Sequence, residues 1–309
     1  MQRRAFLRGA VGALISSSTP AQDASGPSIL THEHILVDFI GADAISRDRY
    51  RLQDAFDAAL PKLREVKALG CQRLLECTPN YIGRDPRLCR MLSEAVGMEI
   101  LDEYRTLRGG QPPLSAGLCQ DGKRGPTGEA LDSGVAGRSR RTTPRFIKIG
   151  VKKGPLHAWD RKIVEAAAIT SAETGLPIAA HTGDGTAALE ELEIITKQDV
   201  PASRFVWVHA QSELEHRIHH EVARAGAWVS FDGISSSSVR WHERCVESIA
   251  RAGLLHQTLI SHDAGWYRPG ETGGGDYRGY ADVYRIFEPS VPDWFETLLW
   301  TNPRRAFGD

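Results

Sequence analysis

The sequence predicts an α/β protein folded as a single (β/α)8 barrel, and three observations carry that reading. From Ser28 onward, short apolar runs alternate with segments of helical period, the pattern of a parallel sheet covered by helices. Gly70, Gly175, Gly226 and Gly253 each close a helical segment just before the next apolar run, where a left-handed C-cap residue is expected. About eight such units fit in the 285 residues (309 − 24) after position 24, which suits a closed barrel better than an open sheet.

The elements follow in order. Ser28–Asp38 reads as a strand and Arg51–Leu69 as a helix. Arg73–Thr78 is a strand, and Pro86–Val96 a helix with apolar residues at Leu88, Leu92 and Val96. Strands at Arg145–Val151, Pro177–His181, Arg204–His209 and Trp228–Phe231 alternate with helices at Arg161–Thr174, Ala187–Thr196, Glu213–Ala225 and Val239–Ala252. Gln257–Asp263 is the last strand.

Composition bounds the rest. With 41% hydrophobic and 25% charged residues the chain is neither disordered throughout, collagen-like, nor a disulfide miniprotein. The 38 Lys+Arg balance 39 Asp+Glu to a net charge of −1, so no nucleic-acid partner is expected. No run reaches the ~18 apolar residues of a spanning helix, so no membrane partner is expected either. Five cysteines without a CxxC pair argue against both a disulfide framework and a zinc ribbon.

Two segments stand outside the barrel pattern. Residues 1–24 begin with Arg3-Arg4, Phe6-Leu7 and Arg8, followed by a weakly apolar run, which looks like a twin-arginine signal peptide. The expected mature chain is 25–309, periplasmic or secreted, with the twin-arginine export machinery as a partner. Leu101–Arg145 carries eight glycines, four prolines and eight Lys/Arg in 45 residues, without a usable period. A compact domain seldom holds so long a structureless loop. A divergent lid, a disordered segment and translation of a GC-rich gene in a shifted frame all stay open here.

The histidines carry the chemistry. His32, His34, His181 and His209 fall at or near the C-terminal parts of strands, and Asp263 closes the last one. In a β/α barrel those ends converge on one mouth. His32 and His34 point the same way because strand side chains alternate, and two imidazoles on one face can share a metal ion. Lys148 lies between Ile147 and Ile149 on a buried strand, so it is paired, neutral or modified, since a buried unpaired ammonium is costly. A neutral lysine that adds CO2 becomes a carbamate able to bridge two cations. Trp266, Tyr267 and Arg268, in the loop after the last strand, are candidate pocket walls by position. His216 and His220, four apart on a helix, read as a solvated face, and Gly273–Gly275 lacks the lysine of a phosphate loop.

Taken together, Thr31–Asp38 (Thr-His-Glu-His-Ile-Leu-Val-Asp), Phe146–Gly150 (Phe-Ile-Lys-Ile-Gly), Ala180–Thr182, Val208–Gln211, Ser261–Trp266 (Ser-His-Asp-Ala-Gly-Trp) and Asn302–Phe307 resemble the phosphotriesterase family of the amidohydrolase superfamily. The resemblance covers about 28–100 and 145–309. It implies a (β/α)8 barrel with two divalent metal ions, usually zinc, and a small-molecule ester as substrate. His32, His34 and Asp263 would hold the more buried ion, and His181 and His209 the more exposed one. Lys148, carboxylated by CO2, would bridge the pair together with a hydroxide that attacks the ester, and Asp263 would orient that hydroxide and accept its proton. A homodimer is also implied.

Departures narrow the expected chemistry. After the seventh strand the family has Asp-His or Asp-Arg, whereas this chain has Asp232-Gly233; after His209 comes Ala210-Gln211-Ser212, without an acidic residue. A lactone or other carboxylic ester is therefore expected over a phosphotriester. Phosphotriester or amide hydrolysis is the alternative, and an inactive metal-binding remnant disabled by Leu101–Arg145 is a different class of reading.

Overall fold

The computed structural model describes residues 26–102, 104–108 and 144–308; the expected signal peptide and residues 109–143 lie outside them. Nine parallel strand segments succeed one another: β1 (Ser28–Glu33), β2 (Cys71–Glu76), β3 (Glu99–Leu101), β4 (Tyr104–Arg108), β5 (Ile147–Gly150), β6 (Ile178–His181), β7 (Phe205–Val208), β8 (Trp228–Phe231) and β9 (Thr258–Ile260). One sheet runs β1-β2-β3 and the other β4 through β9 in chain order, and β4 follows β3 within three positions. The chain after β9 returns beside the chain after β1: the Asp263 and Tyr267 N–H groups donate to the His32 and Ile35 carbonyls at 3.1 and 2.9 Å, and His34 N–H donates to the Ala264 carbonyl at 2.9 Å. The fold is the (β/α)8 barrel read from the sequence.

Helices α1 (Leu52–Ala68), α2 (Pro86–Val96), α3 (Ala158–Thr174), α4 (Gly185–Lys197), α5 (His216–Arg224) and α6 (Val239–Arg251) wrap the strands, and a short α7 (Asn302–Phe307) closes the chain. The four glycines expected to end helices all have positive φ, between +74° and +106°. No helix among the described residues is long and apolar enough to cross a membrane.

The strands sort their side chains into two packed layers. Ile29, Leu75, Leu101, Phe146, Ala179, Val206, Trp228 and Leu259 pack together inside the barrel. Their neighbours Leu30, Leu74, Ile100, Ile147, Ile178, Phe205, Val229 and Ile260 pack with the helices. Both faces are buried, so the strands read as continuous apolar runs, as parallel sheets require.

Several boundaries differ from the sequence reading, and β1 and β9 end earlier than expected, at Glu33 and Ile260, so His34 and Asp263 stand beyond their strands and Asp263 does not close the last one. Strand structure begins inside the segment expected to be irregular: Glu99–Leu101 pairs with β2 and Tyr104–Arg108 pairs with β5. Strand pairing decides the conformation there, where local periodicity is too short to show it. Helix α5 starts at His216 rather than Glu213, because Ala210–Ser212 forms a separate helical turn after β7.

Candidate metal centre

The site residues stand at or just beyond strand ends, except Lys148 within β5, and backbone irregularities aim several of them. The β1–β2 pairing shifts register between Leu30 and Glu33, so the inward face passes from Ile29 to His32 and His34. Lys148 follows the inward Phe146 by two, and His181 follows Ala179 by two. His209 and Asp263 both have left-handed backbones, φ +66° and +52°. At His209 that turn breaks the alternation after Val208 and brings the imidazole to the mouth as well.

These residues meet on the floor of a cavity of about 610 Å³, lined by His32, His34, Lys148, His181, His209 and Asp263. The imidazole centroids form a chain: His34 to His32 at 5.3 Å, His32 to His209 at 4.9 Å, His209 to His181 at 4.4 Å. Asp263 Oδ1 lies 3.1 Å from His34 Nε2 and 3.9 Å from His32 Nε2. Asp232, fully buried behind them, lies 3.5 Å from His32 Nδ1 and 3.7 Å from His209 Nδ1, and accepts the His209 N–H at 2.8 Å. His32, His34 and Asp263 form one group of potential ligand atoms within 4.8 Å of one another; His32, His209 and Asp232 form a second.

The donor set suits divalent cations. Desolvation among the site side chains, with Lys148 and the other histidines nearby, lowers His181 below its usual value although the residue reaches the surface of the cavity; burial and His32 push His209 down to about 4. Both imidazoles are therefore neutral near pH 7, with lone pairs free to ligate. His32 Nδ1 is buried without a hydrogen bond. For Asp263, burial raises the carboxyl, but the close contact with His34 and the neighbouring imidazoles outweigh it and hold it well below the usual carboxylate range. Lys148 is 4% exposed; its Nζ approaches the Ile149 carbonyl at 3.4 Å, and no carboxylate pairs with it among the described residues.

A supporting layer holds the ligands. His34 Nδ1 meets Thr78 Oγ1 at 2.8 Å, and Thr78 in turn donates to Glu76, which leaves Nε2 facing the cavity. His242 Nε2 meets the Asp232 carbonyl at 2.8 Å, so this histidine braces the site from behind. The signal for Thr78 and Glu76 lay in the Glu76-Cys77-Thr78 end of β2, which sequence reasoning treated as a plain strand.

Of the three candidate pocket walls, Trp266 lines the cavity, whereas Tyr267 and Arg268 do not. Tyr267 is 6% exposed and bridges to Leu36 in the core, and Arg268 pairs with Glu271 at 3.1 Å. The left-handed Trp266 backbone, φ +76°, turns its neighbours away. The other walls are Val37, Phe39, Tyr81, Ile82, Val151 and Lys152, on loops after β1, β2 and β5. His216 and His220 stay apart from the site: His216 stacks on Trp241, and His220 Nε2 meets Ser248 Oγ at 3.0 Å.

A parallel barrel that gathers four imidazoles, a buried lysine and two carboxylates at the C-terminal ends of its strands defines a class, the cation-binding barrels. The chain belongs to the phosphotriesterase family: the model of that family matches residues 129–292, over half of the chain, and its members are binuclear metal enzymes. The match begins ahead of Pro144, so the likeness reaches further back than the sequence reading placed it. The chain is 24% identical over 300 residues to the phosphotriesterase homology protein of Escherichia coli, covering 90% of this chain and 97% of that protein. It is 20% identical over 308 residues to an aryldialkylphosphatase of Saccharolobus solfataricus, covering 90% and 94%. Among solved structures, a mutant of a phosphotriesterase-like lactonase of Deinococcus radiodurans superposes with a TM-score of 0.74 at 22% identity, covering 91% and 95%.

Proposed function

We propose that this chain is a metal-dependent hydrolase of ester bonds, acting on a lactone or other carboxylic ester. The observation that carries the reading is the convergence of His32, His34, His181, His209, Lys148 and Asp263 on one cavity floor. His32, His34 and Asp263 would hold one cation and His181 and His209 the other. Lys148, carboxylated, would join them, a role supported by its burial without a paired carboxylate. Zinc suits imidazole and carboxylate ligands. When bound, the two cations lower the pKa of water and polarise the acyl oxygen.

The chain's own residues do the rest. Asp263, its Oδ1 in one ligand group with His32 and His34, takes the proton of the attacking water on its other oxygen. The apolar and aromatic walls Val37, Phe39, Ile82 and Trp266 exclude water and seat the acyl chain. Gly233 offers no side chain beside Asp232, and the Asp232 N–H is taken by Gln211 Oε1 at 2.9 Å. That supports a carboxylic ester over a phosphotriester. We also propose twin-arginine export of the chain to the periplasm and its assembly as a homodimer; fractionation of the native host and analytical ultracentrifugation test these.

The deciding experiment purifies the full chain with zinc and bicarbonate, measures metal per chain by elemental analysis, and assays lactones, aryl esters, amides and phosphotriesters side by side. About two metals per chain with lactone turnover is the expected result. Metal without turnover on any of them supports the remnant reading, and preferred turnover of phosphotriesters or amides replaces the lactone reading.

A further inference from the structure

We infer that Glu33, between the two histidines of β1, is a positioning residue for Asp263, holding the turn at residues 261–264 in the backbone form that aims Asp263 at His34. The inference rests on the metal-centre reading above and deepens it.

Glu33 is fully buried and, as its place between His32 and His34 requires, points away from both. Its carboxylate takes four hydrogen bonds, all from the turn after β9. Oε1 accepts from Ser261 Oγ at 2.8 Å, from the His262 N–H at 2.9 Å and from His262 Nδ1 at 2.7 Å. Oε2 accepts the Ala264 N–H at 2.9 Å. The His262 tautomer is set from its far side: Nε2 accepts the Val283 N–H at 2.9 Å, so the ring proton sits on Nδ1 and is donated to Glu33.

The two backbone donors flank Asp263, whose own N–H goes to the His32 carbonyl at 3.1 Å. Asp263 has φ +52°, a left-handed conformation that costs a non-glycine residue free energy and persists only where the surroundings impose it. One carboxylate that accepts from the residues on both sides of Asp263 imposes it. A glutamine at position 33 has a single acceptor oxygen, and its NH2 would face donors. Charge-assisted acceptance from four groups by one buried side chain is more than strand cohesion needs, and all of it converges on the one residue that both ligates and accepts a proton in the proposed reaction.

The test uses the full chain loaded with Zn2+, comparing wild type, Glu33→Gln, Asp263→Asn and the double variant. Glu33→Gln is expected to lower kcat by about 10–100-fold with KM nearly unchanged, and to weaken Zn2+ binding by a similar factor, as loss of a ligand's supporting partner does. In the double variant the Glu33→Gln loss in kcat should vanish, because Glu33 acts through Asp263. Equal losses of kcat in both backgrounds would mean that Glu33 only supports the fold, and the inference would be overturned. Should Glu33→Gln fail to fold, Glu33→Asp, which keeps the charge but withdraws it by one methylene, is expected to show the same non-additivity. A crystal structure of either variant decides the matter without activity: Asp263 leaves the left-handed region if the inference holds and stays there if it does not. Wild type that neither binds Zn2+ nor hydrolyses esters would defeat the metal-centre reading instead, and the crystal structure would still judge the clamp.

Discussion

The two sides of the barrel mouth are built differently. On the side of β1, β2 and β9, two of the three candidate ligands are fastened from behind, His34 by Thr78 and Glu76 and the Asp263 turn by Glu33, while His32 Nδ1 has only Asp232 at 3.5 Å. On the side of β5 and β6, the Lys148 amine has one long contact at 3.4 Å to the Ile149 carbonyl, and the His181 imidazole has no hydrogen bond among the described residues, only the edge of His209 at 4.4 Å. Preorganised ligands lose little entropy on binding, while a loosely held set takes its geometry from what it binds. The first side is thus the better braced half, and the second would be completed, on the proposed reading, by carboxylation of Lys148 and by the cations.

The largest effect should come from the braced side. Asp263→Asn keeps its shape and its hydrogen-bond partner but loses the ability to take up a proton, so kcat should fall by about 10²–10⁴-fold while metal is retained. Steady-state kinetics with elemental analysis checks both halves of that statement; turnover near wild type would remove Asp263 from the mechanism. On the loose side the expected damage is to assembly. Lys148→Ala should lower bound metal from about two ions per chain to one or fewer, measured on protein purified with zinc and bicarbonate. Full metal content in that variant would show that the half-site on β5 and β6 does not need the lysine, and the contrast between the two sides would disappear.

The same contrast marks what the sequence could show. Strand order, helix placement and the inward turn of Lys148 and His181 follow from alternation and from where apolar runs stop; the shared face of His32 and His34 is equally legible, but the register shift that turns it inward is not. His209 and Asp263 were placed at the mouth as strand-end residues, but they reach it through left-handed backbones, which no periodicity announces. Glu33 and Glu76 read as ordinary polar strand residues, because their function depends on partners up to 231 positions away. Tyr267 and Arg268 were expected at the pocket by proximity to Trp266, and the turn at Trp266 sends them elsewhere. Strand β4 was hidden because the segment that holds it is short on apolar residues, and β3 because it is three residues long; pairing with their neighbours orders both.

The rigidity of the braced side can be probed through backbone alone. Gly265 has φ +97°, and a Cβ there would lie 1.9 Å from the His34 carbonyl oxygen. Nothing flexible can yield at that contact. Gly265→Ala should therefore cost about 3 kcal/mol or more, read as a thermal midpoint lower by roughly 5–10 °C. An unchanged midpoint would show that the Asp263 turn is softer than its hydrogen bonds imply.

The loose side has a buried carboxyl behind it, and this offers the mildest test. Glu191 of α4 is fully buried beside Thr182, which follows His181 and donates to it; burial pushes its carboxyl up to about 8, against a smaller lowering by Thr182. The folded chain therefore keeps a proton that the unfolded chain has already released above about 4.5. Stability from this group is complete below about 4.5 and is lost as the pH rises through about 8. Glu191→Gln retains an acceptor for Thr182 and has no proton to lose. Its thermal midpoint should match wild type at pH 5 and exceed it by a few degrees at pH 8, an advantage worth on the order of a few kcal/mol. An advantage of the same size at both pH values would mean that Glu191 affects packing rather than charge, and that the β6 side is not strained by a buried acid at neutral pH.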